Sequence, residues 1–173
     1  DEAEVEESDL SIYSGQFVDD ERSGTGIETY GCRIFKGSYF KYEMDTGALN
    51  GYGIEIVYPD KSRTGVVDNI YLGHWENNIR SDIGVEIQTD EVFSGSWKSD
   101  LRSGPGRSTM GKYAHLEGFW VDGKVDGMGR EIQYDRVHEG TFKDSEMNGL
   151  GKVRFLDGCM KIGECRDNVL SGL

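Results

Sequence analysis

From Tyr13 onward bulky and polar residues alternate around a glycine, and the same five-residue pattern keeps returning. Tyr13-Ser-Gly15-Gln-Phe17 is followed by Phe35-Lys-Gly37-Ser-Tyr39, Tyr71-Leu-Gly73-His-Trp75 and Phe93-Ser-Gly95-Ser-Trp97. Leu116-Glu-Gly118-Phe-Trp120 and His138-Glu-Gly140-Thr-Phe142 come next, then a weaker copy, Lys161-Ile-Gly163-Glu-Cys165. The central glycines are 22, 36, 22, 23, 22 and 23 residues apart. A period of two predicts a strand with one buried face, with both rings and the glycine on that face. Lacking a side chain, the glycine leaves room there for a ring or backbone of a neighbouring repeat.

A second signature follows at a fixed distance. Seven residues after the second ring position come Gly24-Thr-Gly26, Gly104-Pro-Gly106, Gly127-Met-Gly129 and Gly149-Leu-Gly151. The third repeat has Asp82-Ile-Gly84, the second has a delayed Gly51-Tyr-Gly53, and the seventh ends at Gly172-Leu173. The polar stretch between the two signatures is turn chemistry, as in Val121-Asp-Gly-Lys-Val-Asp126. Each unit therefore reads as a β-hairpin plus a connection. One hairpin is marginal in water, so the units must stack. No segment carries a sustained helical period, and glycine recurs too often for long helices. The fold class expected is all-β: an elongated, single-layer antiparallel array of hairpins over residues 13–173. Fourteen strands at about 4.8 Å each would run to roughly 65 Å.

These motifs resemble the MORN repeat (membrane occupation and recognition nexus), whose unit is Y-x-G-x-W, a polar turn, G-x-G and a second strand. About seven copies cover the chain, the second enlarged and the last truncated. The resemblance implies an elongated single-layered antiparallel β structure. MORN arrays occur in radial-spoke head proteins, junctophilins, cytoskeletal organisers of protozoan parasites and adaptors that hold myosin tails. They also precede catalytic domains in plant phosphatidylinositol-phosphate kinases and in a histone-lysine methyltransferase, but are not themselves catalytic.

Charge narrows the function classes. The chain has 173 residues, 19 basic and 32 acidic, for a net charge of −13. That balance argues against a general nucleic-acid binder and disfavours anionic membranes. The whole excess lies in residues 1–100; residues 101–173 hold 11 bases and 11 acids. Six acids lie between Asp1 and Asp9, so residues 1–12 read as an acidic, solvated tail. The missing initiator Met and an end inside a repeat suggest a piece of a longer chain, which leaves the targeting arm of a larger enzyme open.

No constellation supports catalysis. The G-x-G pairs lack the helix and lysine of nucleotide loops. His74, His115 and His138 are too widely spaced for a local metal motif, and Cys32, Cys159 and Cys165 have no metal-ligand spacing. Expected are no enzyme activity, no metal and no cofactor. Trp75, Trp97, Trp120, Phe142, Gly95 and Gly118 are read as structural. Two features stand apart. The second repeat is enlarged in its turn, Lys41 to Asn50, and in the connection Tyr58–Ile70, which carries Tyr58, Lys61 and Arg63. The residue after G-x-G is Ile27, Ile54 and Val85 in three repeats, then Arg107, Arg130 and Lys152. That basic ladder suggests an extended protein segment along one face, its acidic end over the later repeats. The reading is a protein-binding scaffold or adaptor in a cytoskeletal or multi-subunit assembly of the cytoplasm. The alternative is a membrane- or phospholipid-associating module; oligomer formation stays open.

Overall fold

The computed structural model describes residues 11–42 and 45–172, with the side chains of 39–42, 45–47 and 172 left aside. Of the stretch 1–12 expected as a tail, residues 1–10 lie outside the described residues and Ile12 already belongs to the first strand; residues 43–44 of the enlarged second turn also lie outside the described residues.

The described residues are all-β, and among them consecutive strands pair antiparallel as seven hairpins. They are β1 (Ile12–Val18) with β2 (Glu21–Tyr30), β3 (Arg33–Tyr42) with β4 (Asp45–Val57), and β5 (Asn69–Glu76) with β6 (Ile79–Gln88). Then come β7 (Glu91–Lys98) with β8 (Leu101–Met110), β9 (Ala114–Val121) with β10 (Lys124–Ile132), β11 (Arg136–Lys143) with β12 (Glu146–Phe155), and β13 (Met160–Arg166) with β14 (Val169–Gly172). The strands divide into two compact units, one ending at Thr89 with β1–β6 and one starting at Asp90 with β7–β14.

Local chemistry explains the hairpins. Their turns have two central residues at positive φ: Asp19-Asp20, Asn77-Asn78, Ser99-Asp100, Asp122-Gly123, Asp144-Ser145 and Asp167-Asn168. These are mirror-image turns, whose twist matches the strands and which Asn, Asp and Gly tolerate best. The two glycines of G-x-G do different jobs. The first lies at positive φ, as in Gly104 (100°), Gly127 (111°) and Gly149 (110°), next to a bulge on the even-numbered strand. Asp82 holds that conformation in the third hairpin at φ 53°. The second glycine pairs with the central glycine of the adjacent strand, so one unbroken glycine row crosses each unit.

The rings lie on this row. A Cβ built on Gly73 or Gly84 would stand 2.3–2.4 Å from the Tyr71 hydroxyl oxygen, and one on Gly95 would meet Phe93 at 2.8 Å. The second ring packs edge-on between two first rings. Trp75 sits 5.2 Å from Tyr71 and 5.3 Å from Phe35, both at 88°. Trp75, Trp97, Trp120 and Phe142 are buried, and this ring face is the core of each unit. The enlarged second hairpin absorbs its extra residues differently from a projecting loop. They lengthen β4 to 13 residues with two register shifts. The connection after it is a true loop, closed by Tyr58 N–H donating to Cys32 O and Asp68 N–H to Val57 O, each at 2.9 Å.

Candidate functional site

Because side chains alternate, residues flanking each glycine point away from the rings and form an open face. In the first unit Ser14, Ile27, Lys36, Ile54, Leu72 and Val85 line up as one cross-strand row. Thr25, Ser38, Tyr52 and Ile83 stand on the other side of the glycines. The trough between them, floored by Gly26, Gly37, Gly53, Gly73 and Gly84, holds about 790 Å³. Its walls are apolar apart from the small hydroxyls and Lys36. Ile27, Tyr52, Ile54, Leu72 and Ile83 are all exposed in it, Tyr52 to 71%.

The second unit treats the same rows differently. Arg107, Arg130 and Lys152 do form a row, but Glu117 and Glu139 on β9 and β11 stand between them. Arg107 pairs with Glu117 at 3.3 Å, Arg130 with Glu139 at 3.3 Å, and Lys152 also with Glu139. The hydrogen bond from Lys152 holds the Glu139 carboxyl below its ordinary range. The expected basic ladder is thus an alternating, largely neutralised row. Replacing its three bases by Glu would leave five neighbouring carboxylates, so the variant is expected to lose stability in low salt and recover it in high salt, read by thermal melts. Beside this row Phe119, Met128 and Leu150 are exposed on the same face. Met128, Leu150 and Ile162 border a shallower trough of about 450 Å³.

Tyr58, Lys61 and Arg63 belong to the first unit, in the connection between β4 and β5, whereas the charged row belongs to the second. Asp60 caps that connection, accepting from the Ser62 N–H at 2.9 Å, and these bonds from Ser62 hold its carboxyl low.

The ring face carries polar groups that the alternation did not reveal. Two residues after G-x-G stand Glu28, Glu55, Glu86, Ser108 and Glu131, facing the rings. Arg80 bridges Glu55 and Glu86 at 3.0 and 2.9 Å and lies 4.8 Å from the Tyr71 ring centre. Arg22 repeats this with Glu28 and Tyr13. Arg102 donates two bonds to Glu91, at 2.6 and 2.9 Å, and covers Phe93 at 4.6 Å. Where the first ring is absent the arginine is absent too. Val125 and Met147 take its place beside Leu116 and His138, and fill the space over the glycines. Arg102, aided by Ser108, holds Glu91 below the 4.5 of a free carboxyl despite partial burial. A folded value below the unfolded one adds stability above the unfolded pKa, lost as pH falls through the folded value. Glu91→Gln is therefore expected to weaken the fold near neutral pH and to lose that deficit as pH falls below 4.5 and through the lowered folded value, in urea titrations.

Among the described residues no group of three His, Cys, Asp or Glu is placed to hold a metal ion. The Cys165 thiol is buried beside Met147, which raises its pKa.

The model of one repeat family, described as the MORN repeat, matches residues 13–31, 93–112, 117–135 and 138–160. The chain is a MORN-repeat protein. The matches fall on the first, fourth, fifth and sixth hairpins, and the same glycine row runs through the others. No curated protein matches the chain. MORN repeats are associated with membrane or phospholipid binding or with protein interaction.

Proposed function

We propose that this MORN array is a non-catalytic scaffold that holds a partner protein along its open face, in a cytoplasmic, cytoskeleton-associated assembly. One observation carries the reading: the glycine-floored trough of β1–β6, whose aliphatic walls stay uncovered on the face opposite the buried rings Phe35, Tyr71 and Trp75. An uncovered apolar concavity of this size is an interaction site. Partner side chains would enter between the rows Ile27–Ile54–Leu72–Val85 and Tyr52–Ile83.

The test is the double variant Ile54→Asp/Leu72→Asp. Both residues are 38% exposed, so the melting temperature should shift by only a few degrees. Retention of co-purifying protein should fall at least tenfold. Unchanged retention would dismiss the trough as the binding face.

A second reading, attachment to a lipid surface, is favoured by the connections of the second unit. There the exposed Tyr113 and Tyr134 meet edge-on at 5.4 Å, and Lys112 lies 5.4 Å from the Tyr113 ring. Amphipathic rings beside a cation suit a membrane interface. Sedimentation with anionic vesicles, abolished by Tyr113→Ser/Tyr134→Ser, would support it.

A further inference from the structure

The strand β1 pairs with β2 and, among the described residues, with no other strand. Natural sheets protect such an edge with charges, proline or a bulge on the strand itself. β1 has none of these: Ile12-Tyr-Ser-Gly-Gln-Phe-Val18 is uncharged, and its register shift arises from extra residues on β2. The ring pattern also breaks off here. Trp75 and Trp120 touch the first ring of the preceding hairpin, and both are buried. Phe17 touches Tyr13 at 5.1 Å and is 56% exposed, with Ile12 and Val18 exposed beside it.

From these features we infer that β1 is a homodimer edge, and that its occupant is β1 of a second copy of this chain, antiparallel about a two-fold axis through Gly15. The sequence is self-complementary in that register. Gly15 faces Gly15 and continues the glycine row that every internal pair obeys. Phe17 faces Tyr13 of the second copy on the ring face, where each copy lacks a flanking ring. Ile12 faces Val18 and Ser14 faces Gln16 on the open face. No charge is opposed within the strand pair, and the interface is isologous, so it closes at two copies. Carboxylates work against it: six lie among residues 1–9, which precede β1, and Asp19, Asp20 and Glu21 follow it. Pairing therefore strengthens with salt. Seven residues of strand make a small interface, so half-association is expected on the order of 0.1 mM. The dimer joins two open faces, which goes beyond single-copy partner capture.

Sedimentation equilibrium of the chain at low and high salt tests this, with two variants that leave β1 folded. Ile12→Lys/Val18→Lys sets like charges opposite each other and should give a monomer at every concentration. Ile12→Lys/Val18→Glu sets Lys against Glu in the proposed register only, since the two positions lie at opposite ends of one strand. It should associate at least tenfold more tightly than the double-lysine variant. A chain that stays monomeric at high concentration and high salt overturns the proposal. So does a dimer that both variants leave unchanged, or a failure of the Lys/Glu variant to exceed the Lys/Lys variant.

Discussion

Gly95→Val is expected to cost more than about 3 kcal/mol of stability, while Ser94→Val next to it costs under about 1. The two positions differ only in face. A Cβ at 95 would stand 2.5 Å from the Gly106 Cα, 2.7 Å from the Pro105 carbonyl oxygen and 2.8 Å from Phe93. Two of those three neighbours are backbone of the paired strand, which can yield only by breaking the glycine row. Ser94 points to the open face and is exposed. Thermal melts of both variants read the difference directly. Equal losses would mean that the glycine is a matter of strand propensity and not of ring seating.

Trp120→Ala is expected to cost about 3–5 kcal/mol, the range of a buried ring truncated without collapse. Trp120 is 3% exposed, meets Phe93 at 5.0 Å and 76°, and approaches the space above Gly106. Its loss would strip Phe93 on one side and leave Arg102 over a void. Trp120→Phe should cost less than about 1.5 kcal/mol. The indole Nε1 is buried without a hydrogen-bond partner, so a ring lacking that donor forfeits no bond. If the phenylalanine variant were as damaging as the alanine one, shape at this position would outweigh ring contact. Denaturant titration of the two side by side makes that distinction.

The strand count, the pairing and the ring face were legible in the sequence because each is set by local spacing. Period two assigns Tyr71, Gly73 and Trp75 to one face with no reference to neighbours. What depends on the cross-strand neighbour was not legible. The ladder of Arg107, Arg130 and Lys152 was read from one strand per repeat, at about 10 Å spacing, whereas a sheet row takes a residue from every strand at about 4.8 Å. Glu117 and Glu139 fill the intervening places and change a basic stripe into a paired row. The buried partnership of Arg80 with Glu55 and Glu86 was missed for a related reason. Its acid lies two residues past G-x-G, a signal present at Glu28, Glu55, Glu86 and Glu131, but charged residues there read as solvated hairpin polarity. The extra residues of the second repeat were placed in its turn, Lys41 to Asn50, whereas the described ones extend β4 and are taken up by two register shifts against β3.

The central claim is that the trough above the glycine row of β1–β6 is where this MORN array meets its partner. Photo-crosslinking from single engineered positions tests it most directly. A benzophenone side chain at Leu72 or Val85, on the wall of the trough, should capture one and the same partner chain in cells. The same group at Asn77, in the turn between β5 and β6, should capture none of it. Capture from Asn77 with none from Leu72 and Val85, in a complex that otherwise remains intact, would contradict the account.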